Sequence, residues 1–107
     1  MGRGGVIPGI PLLKGPNYAT WRIQCRMVLM RDGLWSIVNE DEIAPVEGNN
    51  EAIRKYNDRR DKALSTIVML VDPSLLYLLN DPVDPVVVWY IRLPINFKNE
   101  HGRTNYH

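Results

Sequence analysis

Apolar side chains over residues 18 to 31 fall three and four positions apart, which is the spacing of one face of an α-helix. This core stripe consists of Tyr18, Trp21, Cys25, Val28 and Leu29. A second apolar series on the same segment consists of Ile23, Met27 and Met30. The pattern therefore predicts a helix from about 18 to 31 that contacts neighbours on two sides.

A second long helix is predicted from about Glu51 to Leu70. Its buried side is marked by Ile53, Tyr56, Leu64, Ile67, Val68 and Val71. Residues 57 to 62 are charged and predicted to be exposed, with Asp58 and Lys62 paired one turn apart. Asp72 and Pro73 are predicted to end the helix.

Local signals mark the ends of these helices and three shorter ones. The predicted caps are Asn17 for the first helix, Ser74 for a helix from 75 to 79, and Asp84 for a helix from 85 to about 93. Gly33 is predicted to end the first helix. A short helix from 34 to 38 is predicted to turn Leu34, Trp35 and Val38 inward. These elements predict an all-α fold, a small bundle of about five helices.

Glycine and proline are frequent at the start of the chain, and polar residues at its end. Residues 1 to 15 are predicted to form a flexible arm, residues 16 to 93 a helical domain and residues 94 to 107 an irregular tail. The acidic segment 39 to 50 contains Pro45 and Gly48 and is predicted as a loop. The length of 107 residues allows a single domain at most.

Charge is balanced overall, at +1, but it is segregated along the chain. Residues 1 to 31 carry five basic groups and no acid, and residues 32 to 50 carry five acids and no base. This asymmetry suits either head-to-tail contact between copies or two solvated surfaces, and solvation is the usual reason for such runs. Arg22, Arg26 and Arg31 are candidates for weak, salt-sensitive contact with nucleic acid, without sequence preference.

The sequence offers little for catalysis or metal binding. Cys25 is the single cysteine, and His101 and His107 both lie in the polar tail, so no ligand cluster or oriented nucleophile is predicted. The prediction is a non-enzyme with no cofactor and no small-molecule substrate. One thiol cannot form an internal disulfide, which favours an intracellular, cytoplasmic protein. Apolar runs such as residues 67 to 71 are far too short to span a bilayer, so no membrane contact is predicted.

Five segments together resemble the Gag polyprotein of copia-type LTR retrotransposons. They are LKGPNYATW (13 to 21), GLWSIV (33 to 38), RDKALSTIV (60 to 68), VDPSLLYL (71 to 78) and DPVDPVVVW (81 to 89). The first is similar to an L-x-G-x-N-Y-x-x-W opening, and the second to a G-L-W-x-I-V motif. The residues that carry the resemblance or the predicted core are Gly15, Asn17, Tyr18, Trp21, Gly33, Leu34, Trp35, Leu64, Ile67, Asp72, Pro73, Leu75, Leu76, Pro85 and Trp89.

The resemblance implies a helical domain like the N-terminal part of a retroviral-type capsid, which self-associates around the element's RNA. The implied partners are further copies of the chain and, weakly, RNA. After Trp89 the sequence departs from the family, which continues a lysine- and leucine-rich helix, because Pro94 interrupts the period. This departure predicts a truncated or degenerate fragment. Two alternatives stay open: a host protein-interaction module derived from a Gag domain, and a weak RNA-binding fragment.

Apolar residues are dense between 75 and 89, and a thin core is not expected to cover all of them. They are Leu75, Leu76, Leu78, Leu79, Val87, Val88 and Trp89. Exposed apolar area of this kind usually marks an interface. The sequence therefore predicts self-association through these residues, in a contact that salt does not dissolve. The three tryptophans, Trp21, Trp35 and Trp89, are predicted to lie in the core rather than to form a stacking platform for bases.

Overall fold

The computed structural model, which describes residues 7–46 and 48–91, consists of helices joined by short loops. They are α1 (Tyr18–Arg31), α2 (Trp35–Val38), α3 (Asn50–Met69), a 3₁₀ helix (Pro73–Leu79) and α4 (Pro85–Tyr90). Within the described residues the only extended pairing is a single bridge between Leu13 and Val71. The predicted all-α fold of about five helices is confirmed.

The core lies where all five helices meet. Its buried members from the helices and the loops beside them include Trp21, Cys25, Val28, Leu29, Leu34, Ile37, Val38, Ala63, Ile67, Leu70, Val71, Leu75, Leu79, Val88 and Trp89. The core stripe of α1 is confirmed, with Tyr18 half-buried at its edge. In α2 the prediction for Trp35 is only partly right: Trp35 is half-buried, and Ile37 is fully buried instead.

The segment before α1 belongs to the domain. Leu13 is fully buried, its amide donates to the Leu70 carbonyl at 2.8 Å, and its carbonyl accepts from the Asp72 amide at 2.9 Å. Ile7 and Ile10 pack against the same core. Residues 7 to 15, predicted to form part of a flexible arm, therefore contact the core, because Leu13 is buried between the end of α3 and the start of the 3₁₀ helix. Residues 1 to 6 lie outside the described residues.

The α1 helix begins and ends where predicted, but Asn17 does not cap it as expected. Gly33 has a φ of +72°, the Gly33 amide donates to the Met30 carbonyl, and the Leu34 amide donates to the Leu29 carbonyl. This pair of bonds is a Schellman motif. Asn17 stands at the N-cap position, but its side chain makes no cap. Its amide group instead bonds the loop behind it, accepting from the Lys14 amide and donating to the Leu12 carbonyl.

Three charged positions of α3 differ from prediction. The Asp58 carboxylate lies one turn from both Arg54 and Lys62. It pairs with Arg54, at 3.4 Å, and not with Lys62 as predicted. Arg59 and Arg60, predicted to be exposed, are half-buried because each reaches an acid on another segment. The helix spans Asn50 to Met69, one residue before the predicted range at each end.

The last two helices begin at aspartates. Asp72, not Ser74, caps the 3₁₀ helix, since its carboxylate accepts from both the amide and the hydroxyl of Ser74. Asp84 accepts from the Val86 amide with Pro85 next to it, which confirms the predicted start of α4. The helix ends at Tyr90 rather than Leu93, because Ile91 is extended and packs on the core. Leu93 and the tail from 94 to 107 lie outside the described residues.

Candidate interaction surfaces

The outward face of α1, defined here as Ile23, Met27 and Met30 with the arginines at 26 and 31 beside them, is apolar and uncovered. With about 100° per residue, these three side chains lie roughly opposite the core stripe around the helix axis. They are 56%, 44% and 51% exposed. Arg26 lies on one flank of the apolar strip and Arg31 on the other, as the same geometry places them. The helix carries three arginines and no acid. It therefore presents a convex surface that is both apolar and basic.

Arg22 does not lie on that face. Its guanidinium lies over the Trp89 ring at 4.7 Å and the Tyr18 ring at 5.9 Å, and it donates to the Tyr18 hydroxyl at 2.6 Å. A guanidinium at this distance from an aromatic face is stabilised by the ring quadrupole. Arg22 is consequently held within its own domain, and it is a poor candidate for nucleic-acid contact.

The tryptophans form a connected set inside the domain. Trp21 stacks on Trp89 at 6.2 Å and on Tyr18 at 6.3 Å, while Trp35 meets Trp89 edge-on at 5.3 Å. The indole Nε1 of Trp21 donates to the Leu70 carbonyl at 2.8 Å. The core interpretation is therefore confirmed for Trp21 and Trp89, whose ring faces are occupied by the protein, and Trp35 lies at the edge of the set.

The other two candidate arginines are exposed. The Arg26 guanidinium lies 5.9 Å from the Trp35 ring, and no ion pair within residues 7–46 and 48–91 involves it. Arg31 is paired only with its neighbour Asp32, at 3.3 Å. Two of the three arginines are thus available on the outward face of α1.

A second surface is an open groove between the loop after α2, the middle of α3 and the start of α4. We call it the acidic groove. It has about 500 Å³ of open volume and is lined by Ile37, Glu40, Glu42, Ile43, Ala44, Tyr56, Arg60, Asp84, Val86 and Val87. Three of these residues are carboxylates and one is a guanidinium. The groove is therefore concave, apolar in part and acidic.

Two ion pairs hold the walls of the acidic groove. Glu42 accepts from Arg59 through both carboxylate oxygens and from the Ser36 hydroxyl at 2.8 Å, and the Arg59 guanidinium also donates to the Gly33 carbonyl at 2.6 Å. The bonds from Arg59, and then that from Ser36, lower the pKa of Glu42. On the other wall Arg60 pairs with Asp84 at 3.4 Å.

The rim of the acidic groove carries exposed apolar residues and a carboxylate without an ion pair. Ile43 is 86% exposed and Val87 is 57% exposed. Glu40 is exposed, and it takes part in none of the ion pairs among the described residues. The sequence predicts this segment only as an acidic loop. The feature of the sequence that indicates the groove is Ile43. An apolar side chain next to three acids does not help to solvate a loop, so it points to a contact.

The apolar residues expected to mediate self-association are mostly covered. Leu75, Leu79, Val88 and Trp89 are buried. Leu76 and Leu78 are half-buried, and Val87 is exposed on the rim of the acidic groove. Four of the seven residues of the predicted surface therefore belong to the core, because the 3₁₀ helix and α4 contribute to the same hydrophobic cluster as α1 and α3. Exposed apolar side chains lie on α1 and at the groove, and also at separate positions such as Tyr77, Val83 and Tyr90.

The remaining motif residues are placed by the fold and bring no catalytic groups together. Gly15, Leu34, Ile67 and Pro85 are buried, Leu64 is half-buried, Asp72 is half-buried and Pro73 is exposed. Cys25 is fully buried, and burial raises the pKa of its thiol to about 12, so it stays protonated at neutral pH. Within the described residues no group of three or more His, Cys, Asp and Glu side chains could hold a metal ion. The histidines at 101 and 107 lie outside them.

A cavity of about 20 Å³ lies beside Trp21 and Trp89 and has mainly apolar walls. This volume is about that of one water molecule, too small for an organic substrate. No helix among the described residues is long and apolar enough to cross a membrane. Comparison with known proteins finds no match: no family model matches the chain, no curated protein matches its sequence and no solved structure matches its fold.

Proposed function

We propose that this chain is a structural domain that acts by self-association, as a capsid-like Gag domain does, around the RNA of a copia-type element. The observation that carries the proposal is the outward face of α1. Residues of that face resemble a second core stripe, yet nothing within the described residues covers them. Three large apolar side chains on one exposed helix face are typical of a helix that packs against a partner.

The motif resemblance supports a partner of the same kind. In the Gag proteins that the five segments resemble, copies of the domain contact one another and form a shell. The all-α fold and the half-buried or buried placement of most motif residues are compatible with that role. A catalytic role has no support from the described residues, whose single thiol is buried and whose acids pair with arginines and lysines or face solvent.

Sedimentation of the full chain over a range of concentrations tests the proposal. We expect the mass to rise above the monomer's 12.3 kDa at micromolar concentration. The double variant Ile23→Gln/Met27→Gln should remain monomeric, because glutamine keeps the helix and the side-chain length but removes the apolar contact. Met69→Gln is the matched control, since Met69 is 54% exposed on α3, away from this face.

The result that would overturn the proposal is a wild-type chain that sediments as a monomer at every concentration. In that case a module binding a different protein becomes the better interpretation. Retention of RNA tests the third candidate. If Arg26 and Arg31 contact phosphates, their substitution by glutamine should reduce the dependence of binding on salt by about 0.7 per contact for single-stranded RNA.

A further inference from the structure

We propose that the outward face of α1 in one copy docks into the acidic groove of a second copy, so that the chain associates head to tail. This inference rests on the proposed function and specifies which surfaces meet. It explains two uncovered surfaces with a single contact. The face of α1 is convex, apolar and basic, and the groove is concave, partly apolar and acidic.

Charge selects this pairing over the two symmetric ones. Two α1 faces brought together would place Arg26 and Arg31 among arginines of the same kind, with no acid on either helix. Two grooves brought together would oppose the Glu40 carboxylates. Like charges at a contact disfavour it, while opposite charges steer association and set the register. Arg26 and Glu40 are both exposed, and neither has an ion pair among the described residues.

The dimensions are compatible. From Ile23 to Met30 an α-helix rises about 10 Å, at 1.5 Å per residue. The acidic groove has about 500 Å³ of open volume. An amphipathic helix that lays its apolar side chains into a groove is a common mode of recognition. Ile43 and Val87 supply apolar contact on the groove side.

The contact is heterologous, so it leaves one face and one groove free on every pair. Association of this kind closes into a ring or continues as a filament. A dimer of two identical contacts would instead be closed. The proposal therefore carries a prediction about growth: wild-type species should extend beyond the dimer.

Two variants that each destroy one surface test the inference by mixing. The face variant is Ile23→Gln/Met27→Gln, and the groove variant is Ile43→Gln/Val87→Gln. We expect each alone to be monomeric by light scattering, and we expect the equimolar mixture to form a one-to-one dimer that does not grow. The dimer forms because one variant retains an intact groove and the other an intact face. Thermal melts of each variant check that the fold is kept, and Met69→Gln should associate as the wild type does.

The possible outcomes separate the two proposals. A wild-type chain that stays monomeric overturns self-association and the head-to-tail contact together. If the wild type associates but the groove variant still associates by itself, or the mixture stays monomeric, self-association stands and the head-to-tail contact is wrong.

Charge reversal gives an independent test. Arg26→Glu and Glu40→Lys should each weaken association by about tenfold. For this test Arg26→Glu is placed in the groove variant and Glu40→Lys in the face variant, so that the only contact open to the mixture is between the reversed face and the reversed groove. If the two charges meet, the face of Arg26→Glu should bind the groove of Glu40→Lys more tightly than it binds the wild-type groove of the face variant. If the Arg26→Glu face binds both grooves equally well, Arg26 and Glu40 do not meet in the contact, and the proposed register between face and groove is wrong.

Discussion

At the scale of the residue, Trp21 contacts more elements of the fold than its place on the core stripe of α1 indicates. Its ring stacks between Tyr18 and Trp89, and its Nε1 donates to the Leu70 carbonyl at the end of α3. The carbonyl it satisfies is one that the helix end leaves without an intrahelical partner. A single side chain therefore connects α1, α3 and α4.

Trp21→Ala should lower the free energy of unfolding by about 3–5 kcal/mol, because it opens a cavity in the core. It also removes one of the two donors to the Leu70 carbonyl, which keeps its bond from the Leu13 amide. Urea unfolding followed by circular dichroism measures the loss. Tyr77→Ala is the control, since Tyr77 is exposed on the 3₁₀ helix and should change little. Coincident unfolding curves for wild type and Trp21→Ala would contradict the core assignment.

Cys25 should be inert in the folded protein. It is fully buried, and its pKa is raised from 9.0 to about 12, mainly by desolvation. An aromatic disulfide reagent at pH 8 should therefore leave the native chain unmodified and label one thiol per chain in denaturant. Because the folded pKa is raised, the contribution to stability is complete below pH 9 and is lost as the pH rises towards 12. Fast labelling without denaturant would show that the core opens readily.

At the scale of the element, α1 differs from the other helices because it has two apolar sides. Periodicity identifies both sides but does not rank them, since Ile23, Met27 and Met30 are as apolar as the stripe that is buried. The helices α3 and α4 cover only one side. The side left uncovered is the one that carries the proposed function.

The start of the 3₁₀ helix should be sensitive to acid. Bonds from Ser74, and then from Lys14, lower the pKa of Asp72 from 3.8 to about 2. Because the folded pKa is lowered, the stabilising contribution of the carboxylate is present above pH 3.8 and is lost as the pH falls towards 2. Asp72→Asn removes this titration and should flatten the loss of stability between pH 4 and 2. If Asp72→Asn loses as much stability as the wild type between pH 4 and 2, that loss comes from other carboxylates.

At the scale of the whole molecule, charges that are segregated along the chain lie on two separate surfaces. Arg26 and Arg31 of α1 are close in the chain to Glu40 and Glu42 after α2, yet the fold places the first pair beside a convex face and the second pair in a groove. Association through these surfaces combines apolar contact with opposite charge. Such a contact differs from the one predicted from the apolar residues between 75 and 89, which salt would not dissolve.

Salt should accordingly weaken association without abolishing it. The Debye length falls from about 10 Å at 0.1 M to about 3 Å at 1 M ionic strength, which screens exposed charges such as Arg26 and Glu40. Light scattering at both concentrations measures the change. The expected result is a larger dissociation constant at high salt for the wild type and a smaller change for Arg26→Gln. Association that strengthens with salt in both chains would point to a purely apolar contact.

Sequence alone determined the features that depend on neighbouring residues. The spacing of apolar side chains located α1 and α3, the sequence Asp84-Pro85 located the start of α4, and Gly33 located the end of α1, because caps and turns are satisfied within a few residues. Tertiary structure decided which side of α1 is buried, how residues 75 to 89 are covered, and that Leu13 joins the core beside Val71. It also formed the acidic groove, by bringing Glu40 and Ile43 next to Asp84 and Val87. These features depend on contacts between residues tens of positions apart, and the free energy of those contacts comes from apolar burial that no local pattern records.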